Sequence, residues 1–570
     1  MANKAKGRTL SEFGTLRSGE QKLLDACAAG SIAMLGDKRP DEKSQTNAVR
    51  AEFIRFLALG GDEAAPVHEK GLWLYGAWIE GSLDLAGGTA ATSLRVINSH
   101  FCECPIFDGT RIEGTLNLAG SFVPGMTADD LHCKGNVYFI KDFSAKGEVR
   151  LMGAQIGGDL NFTGAKLDGQ EGNALSADRA VIQGGVFLSG GFQSIGDVRL
   201  LGAQIGGNLQ CTDARFLGKN GNAFLGDGAV IQGDVFFSDG FNSTGDVRLL
   251  GAQISGDLNC AGAKFEGSGG DALSADGIFV RGTFFFRGLN APVDNVRMAF
   301  AKVGQLADDT TSWGHKLVLD GFVYDHLAVG SPTDAPTRLK WLRRQNQANL
   351  DGQNFCPQPW KHLQKVLRSM GHIEDARQVA IAQENHLRSI GLIGQTPGHW
   401  RPWRRWAHRQ VAQGLHIAFR ALIGYGYRPL RLGAWMLGVW LACAGLYWAA
   451  ALHGVMAPSN PLVFQNLSAY KSCTPNWYLC SALPGEYTGF SPLAYSLDVL
   501  LPFVNLQQEQ DWAPKTPTPL NDWPSELFTH WSLEHVVRLA MWFEILFGWV
   551  ASLLLAAVVS GLTKRQDDSE

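Results

Sequence analysis

Apolar and polar residues alternate in short runs across the middle of the chain. In "GDVRLLGAQI" (196–205), Val198 and Leu200 flank Arg199, and Gly202 interrupts the run. A period of two that is broken by glycine predicts short β-strands joined by tight turns. Because no 3.6-residue period runs through this stretch, we expect strands here rather than helices.

The same run of residues returns at a fixed spacing. "GDVRLLGAQI" recurs at 245–254 and "GEVRLMGAQI" stands at 147–156, so the copies lie 49 residues apart, with a weaker fourth copy around Val296. Short strands at a constant spacing predict a solenoid of stacked coils. Two coils of about 24 residues fit one copy, so we predict a mainly β fold, a parallel β-helix of roughly ten coils with a 49-residue double-coil repeat.

Helical segments flank the predicted β-solenoid, which we place at 66–330. Residues 18–30 and 47–61 have helical character and predict a helical N-terminal cap over 1–65. Beyond the solenoid, Trp360, Leu363 and Val366 share one helical face, which predicts a helical hairpin and a Trp/Arg-rich interfacial elbow over 335–430. Caps of this kind protect the open ends of a solenoid.

Two apolar segments follow. Residues 432–452 carry no charge, and residues 539–562 carry a single carboxylate, Glu544. Both are long enough to cross a bilayer, so we predict transmembrane helices at 431–454 and 536–563. Between them lies a loop, 455–535, with a short apolar segment that predicts a re-entrant helix at 490–505, and a tail, 564–570, ends the chain.

Positive charge predicts the orientation of these two helices. Residues 401–431 hold seven arginines, Lys564 and Arg565 follow the second helix, and the loop holds only Lys471 and Lys515. By the positive-inside rule, both termini lie in the cytosol and the loop lies outside. The first 30 residues lack a signal peptide, which fits a cytosolic N-terminus.

The amino-acid composition limits the classes of function that the protein can have. The net charge of −4 argues against a nucleic-acid-binding protein. Glycine at 68 of 570 residues and a charged fraction of 18% fit a glycine-rich solenoid joined to membrane segments. The ten cysteines show no paired metal-binding spacing, so we expect no metal and no cofactor.

One arginine per copy would form a stripe along one face of the solenoid: Arg150, Arg199, Arg248 and Arg297. The stripe is either a solvated row paired with Glu148, Asp197 and Asp246 on adjacent turns or a binding surface for an anionic partner.

Four polar or thiol residues of the C-terminal part are further candidates. Cys473 and Cys480 lie in the predicted outer loop, where a structural disulfide is expected. Asp498 and Glu544 are candidates for an acidic ring in an oligomeric pore, since carboxylates within a membrane are often functional. Alternatively, Glu544 lies near the outer end of its helix and pairs loosely with Arg538.

The chain resembles a known bacterial family through several phrases: "RAEFIRFLALGGDEAAPVHEKGLWLYGAWIEGSLDL", "GDVRLLGAQIGG", "PQPWKHLQKVLRSMGHIEDARQVAIAQ", "GYGYRPLR" and "YSLDVLLPFVNLQQEQDW". These are similar to membrane proteins with a pentapeptide-repeat-like β-solenoid and two C-terminal transmembrane helices. Members are often labelled "membrane-associated oxidoreductase", and the resemblance implies the bacterial inner membrane. The label also implies redox chemistry, but the resemblance assigns no catalytic residue. If the label is right, Cys473 and Cys480 are the only chemically reasonable residues for that chemistry.

These observations together predict an inner-membrane-anchored β-solenoid scaffold without catalytic activity. Its expected partners are membrane lipids and an unknown cytosolic protein on the solenoid, and not nucleic acid. Two alternatives stay open. One is a homo-oligomeric ion channel or sensor gated by the solenoid, and the other is the oxidoreductase of the family label.

Overall fold

The computed structural model of the protein describes residues 9–459, 463, 465, 467–484, 487–515 and 532–559. The chain divides into two compact units, Met1–Gln383 and Glu384–Glu570. As far as it is described, the first unit contains the α-helices α1 (Ser18–Ala29), α2 (Ala51–Ala58), α3 (Ala335–Leu342), α4 (Gln347–Leu350), α5 (Gln358–Ser369) and α6 (Ile373–Ser389). The last of these, α6, ends in the second unit. Those of the second unit, as far as it is described, are α7 (Pro402–Ile423), α8 (Leu430–Leu452), α9 (Pro492–Leu500), α10 (Gln508–Asp511) and α11 (Leu533–Val559).

The first unit is a parallel β-solenoid of about eleven coils, which confirms the predicted fold class. One sheet has 21 strands: Ala33–Met34, Leu72–Tyr75, Thr89–Ala90, Leu94–Ile97, Arg111–Ile112, Leu116–Asn117, His132–Cys133, Val137–Tyr138, Gln155–Ile156, Leu160–Asn161, Val181–Ile182, Val186–Phe187, Gln204–Ile205, Leu209–Gln210, Val230–Ile231, Val235–Phe236, Gln253–Ile254, Leu258–Asn259, Phe279–Phe286, Lys302–Asp308 and Val323–Leu327. A second sheet has 14: Ala48–Arg50, Trp78–Glu80, His100–Phe101, Phe122–Val123, Met126–Thr127, Ser144–Lys146, Val149–Arg150, Lys166–Ser176, Gln193–Arg199, Arg215–Leu225, Asn242–Arg248, Lys264–Glu266, Leu273–Ser274 and Val296–Arg297.

The 49-residue repeat consists of two unequal coils. Leu160 pairs with Val186, 26 residues later, and Val186 pairs with Leu209, 23 residues later. The longer coil contains a short excursion, 169–172, at which the register between Lys166–Ser176 and the next strand shifts. The same excursion recurs at 218–221. Because only alternate coils carry it, the sequence repeats every second coil.

Inward apolar side chains fill the bore of the solenoid. Successive coils stack a row of phenylalanines, in which Phe139 and Phe162 are 4.8 Å apart between ring centroids. At one corner, an Asn or Asp on several coils accepts a backbone N–H from the next coil; Asn208 Oδ1, for example, accepts from Asp234 N at 2.9 Å. These contacts satisfy buried polar groups and hold neighbouring coils in register.

The N-terminal cap contains strands as well as helices. Ala33–Met34 pairs with Leu72–Tyr75, and Ala48–Arg50 pairs with Trp78–Glu80, so parallel pairing starts well before the predicted boundary at residue 66. Val49, placed in a helix by the sequence pattern, lies in one of these strands. The two predicted helices are present as α1 and α2, and the cap also adds two short strands, which the sequence pattern did not predict, to the open sheet edges.

The N-terminal cap is fixed by a buried ion pair. Glu20 on α1 is fully buried and accepts from Arg50 Nε and Nη2, each at 2.7 Å. Its oxygens also accept the backbone N–H groups of Arg17 and Arg50, each at 3.0 Å. Burial alone would raise the pKa of Glu20, but these hydrogen bonds bring it below its ordinary value.

The other end of the solenoid is closed in a similar way. Arg338 on α3 donates from both terminal nitrogens to Asp308, at 2.7 and 2.8 Å, and the side chains are only 2% and 1% exposed. On α5, Gln358 and His362 bond the backbone of Phe322 and Tyr324 at the last strand. His362 is half-buried and covers an open sheet edge.

In the second unit, α8, α9 and α11 pack together. The chain turns from α7 into α8 at Gly424, whose φ of 54° is left-handed. Gly548 on α11 lets α9 approach, since an added Cβ would lie 1.9 Å from the carbonyl oxygen of Leu500. The strands Met456–Pro458 and Trp512–Pro514 pair antiparallel between α8 and α11.

Candidate functional site

The arginine stripe is a ladder of ion pairs between neighbouring coils. Arg199, Arg248 and Arg297 donate from Nη2 to Asp178, Asp227 and Asp276 at 2.6, 2.7 and 2.7 Å, and Arg150 pairs with Asp129 in the same way. The second oxygen of each aspartate accepts a backbone N–H of the arginine's coil, as Asp227 does from Leu250 N at 3.0 Å. Each aspartate thus fastens two coils together.

The arginines of this stripe pair with the aspartates of the ladder and not with Glu148, Asp197 and Asp246, so the prediction of their partners was wrong. Arg199 has Ser176 as its register partner on the preceding coil, and Asp178 lies only two residues beyond that serine. The guanidinium therefore reaches across the coils instead of along its own strand. The aspartates of the ladder are themselves 49 residues apart, and that spacing was the signal that could have identified them.

Glu148, Asp197 and Asp246 form a separate polar row. Glu148 accepts a hydrogen bond from Asn173 Nδ2 at 3.0 Å. Asp197 is only 6% exposed, and burial raises its pKa against the opposing effects of Arg199 and Asn222. Burial also raises the pKa of Asp246, with the neighbouring Asp271 adding to the effect. Asp197 is buried and the other two residues are partly exposed, so desolvation acts on the two aspartates of a row that lies partly inside the coil stack.

One side of the 21-stranded sheet is an extended regular surface. Its register aligns Gln155, Val181, Gln204, Val230 and Gln253 in a row, one residue per coil. The glutamines are exposed and the valines are partly exposed. Uncharged polar and β-branched residues on a rigid parallel sheet form a surface suited to contact with another protein.

The cysteines of the solenoid are not arranged for catalysis. Burial raises the pKa of Cys27 to about 12 and raises those of Cys211 and Cys260 as well. A reactive thiol needs a lowered pKa, so these residues are inert core residues. Among the described residues, no three His, Cys, Asp or Glu side chains are grouped to hold a metal ion.

Cys473 and Cys480 form a disulfide in the second unit, with their Cα atoms 4.8 Å apart. Cys473 is buried beside Trp477 in the apolar cluster between α8 and α9. The bond closes a short loop, because the two cysteines are seven positions apart in the sequence.

The helices α8 and α11 contain two stretches, Leu430–Leu452 and Leu533–Ala557, that are long and apolar enough to cross a membrane. Only 28% of the apolar window of the first and 17% of that of the second are buried within the protein. The core helix of a soluble protein would bury most of such a surface. Lys564, Arg565 and the predicted tail 564–570 lie outside the described residues.

Glu544 and Asp498 are both buried inside the second unit. Glu544 is fully buried on α11 and accepts from Tyr447 OH on α8 at 2.7 Å, with Ser496 Oγ of α9 at its other oxygen. Asp498 accepts the backbone N–H groups of Leu506 at 2.7 Å and Glu509 at 3.0 Å. Neither carboxyl lies on the outer surface of the unit, where a neighbouring chain would meet it.

Arg538, the alternative partner of Glu544, instead donates to the carbonyl of Pro514 at 2.9 Å. The residues that contact Glu544 were missed because they come from α8 and α9, which lie 97 and 48 positions away in the sequence. Only the apolar character of those segments gave a hint that the three helices would meet.

Comparisons with known proteins add nothing to these observations: no family model, curated protein or solved structure matches the chain. The resemblance to the oxidoreductase-labelled family stays a prediction.

Proposed function

We propose that the protein is a membrane-anchored scaffold, whose solenoid binds another protein and whose helices α8 and α11 hold it in a lipid bilayer. The observation that carries this proposal is the exposed apolar surface of these two helices, which water does not tolerate over such a length. The rigid solenoid provides a long binding surface, and the described residues show no assembled catalytic group.

The flanking helix α7 supports a position at the membrane surface. It exposes Trp403 and Trp406, at 61% and 67%, beside the exposed arginines Arg404, Arg405 and Arg409. Tryptophan at the headgroup level and arginine toward anionic lipid are typical of interfacial helices. By the positive-inside rule, these arginines support the proposal that the solenoid lies in the cytosol of a bacterium, with the loop between α8 and α11 outside.

The binding function is tested by site-specific photocrosslinking in cells. A photoreactive residue at Gln204 or Gln253 on the regular sheet surface should give one discrete adduct of the same partner. The same residue at Gln170, exposed on the excursion at another corner, is the control and should give none. Absence of an adduct from both sheet positions would contradict the scaffold proposal. The channel and oxidoreductase alternatives stay predictions.

A further inference from the structure

Glu544 is a carboxyl group enclosed by three helices without a cation. The side chains that bond it are the hydroxyls of Tyr447 and Ser496, and Cys443 is a further neighbour. Among the described residues, no lysine, arginine or histidine pairs with it. A carboxylate buried in this way, unlike Glu20 or Asp308, has no compensating positive charge.

The hydrogen atoms around Ser496 do not suffice for an ionised Glu544. Ser496 Oγ lies within hydrogen-bond distance of Glu544 Oε1 and also of the carbonyl oxygen of Trp440, at 2.9 Å. A carbonyl and a carboxylate can only accept, whereas a serine hydroxyl has one hydrogen to donate. Both contacts are hydrogen bonds only if one more hydrogen is present, and the carboxyl of Glu544 is where it can reside.

We propose that Glu544 is a proton-binding site, a neutral carboxylic acid that donates from Oε1 to Ser496 Oγ and accepts at Oε2 from Tyr447. Ser496 then donates a hydrogen bond from its own hydroxyl to the carbonyl oxygen of Trp440, which completes a chain of hydrogen bonds across α11, α9 and α8. The nearby Asp498 shows the opposite arrangement, because backbone N–H donors occupy both of its oxygens and no further hydrogen is needed. This inference does not rest on the scaffold function.

The proton has a structural consequence for α9. When it leaves Oε1 for solvent, Ser496 has to choose between two acceptors and a negative charge stays buried. The titratable or charged groups around the site are Cys443 and Tyr447 on α8, Tyr495 and Asp498 on α9, Glu509 beyond it and Arg538 on α11. Of these, Arg538 carries a positive charge, but it donates to the carbonyl of Pro514 instead of to Glu544. It therefore does not replace the proton, and the packing of α9 between the long helices depends on the bound proton.

Infrared spectroscopy of the purified full-length protein in detergent at neutral pH tests this proposal. We expect a C=O stretching band of a protonated carboxylic acid that shifts in D2O. Glu544→Gln should remove the band, because the amide has the same shape but no acid. Glu509→Gln, at an exposed side chain close by in the fold, is the matched control and should leave the band unchanged.

A second variant covers the case in which Glu544→Gln does not fold. Tyr447→Phe removes the donor to Oε2, so the band should move to higher frequency while remaining present. Loss of the band in Glu544→Gln, or this shift in Tyr447→Phe, supports the proposal. Absence of the band from the wild-type protein, its persistence in folded Glu544→Gln or an unchanged frequency in Tyr447→Phe would overturn it.

Discussion

The two units bury carboxyl groups in opposite ways. In the solenoid, Glu20 and Asp308 are each held by an arginine through two short hydrogen bonds. In the helical unit, Glu544 is equally buried but is met by hydroxyl groups. Since a buried charge is tolerated only with a partner, the first arrangement stabilises ionised groups and the second suits a neutral acid. The solenoid therefore uses ion pairs to close its ends, whereas the carboxyl of Glu544 between the long helices of the second unit has no cation beside it.

The largest loss of stability is expected from breaking the ion pair between Arg338 and Asp308 at the C-terminal end of the solenoid. Arg338→Ala leaves Asp308 buried without its partner, which should cost about 3–5 kcal/mol of stability. Native-state hydrogen exchange in the last coils measures the loss, because solenoids open locally at their ends. Arg343→Ala, at the exposed residue that directly follows α3, is the control and should change exchange little. Equal protection in the two variants would contradict a closing role for Arg338.

A smaller effect is expected at the N-terminal ion pair, together with a dependence on pH. The pKa of Glu20 lies below its ordinary value of 4.5, so its stabilising effect is present above that value and is lost as the pH falls through the lowered pKa. Glu20→Gln should cost about 2 kcal/mol at neutral pH, a typical value for hydrogen bonds to a charged group.

Acid titration of the N-terminal coils, followed by hydrogen exchange, measures this dependence. The wild-type protein should lose protection in acid, and Glu20→Gln should show a flatter profile over the same range. Identical profiles would show that Glu20 does not control the acid stability of this cap.

Removing one ion pair of the arginine ladder should reduce stability only modestly, because the arginines of the ladder are partly exposed to water. Asp227→Ala removes the acceptors of both Arg248 and the N–H of Leu250, with an expected cost of about 1 kcal/mol. Asp227→Asn keeps an oxygen for Leu250 and should recover part of that loss. Urea unfolding of the two variants distinguishes them, and a full loss in the asparagine variant would show that the ion pair dominates.

The smallest effect is expected at Glu544. If the side chain is a neutral acid, Glu544→Gln preserves its shape and hydrogen bonds, so stability in detergent should change by less than about 1 kcal/mol. Thermal unfolding followed by circular dichroism measures this. A loss as large as that of Glu20→Gln would remove the contrast between the two units.

The repeat made the solenoid predictable, and long-range contacts limited the rest. The copies around Val149, Val198 and Val247 gave the coil spacing, because each coil must match the register of its neighbours. The unequal lengths of 26 and 23 residues were hidden, since a 49-residue repeat constrains only their sum. The N-terminal strands were missed because two or three residues carry too little periodicity to distinguish a strand from a helix.

For the candidate residues too, the sequence identified the residues themselves but not their long-range contacts. The arginine stripe was visible in the sequence, but the acidic partners predicted for it on adjacent turns were Glu148, Asp197 and Asp246, whereas the structure pairs each arginine with the aspartate 21 residues before it. Asp498 and Glu544 were identifiable as polar residues in apolar segments. Their different environments depend on how α8, α9 and α11 pack, and no local pattern encodes that packing.

Alkaline carbonate extraction of membranes from cells that produce the full-length chain is the most direct test of the central claim. If α8 and α11 cross the bilayer, the protein stays in the membrane pellet and is released only by detergent. Recovery of folded protein in the carbonate supernatant would show that the exposed apolar faces are covered by another protein, and the account of a membrane-anchored solenoid would be wrong.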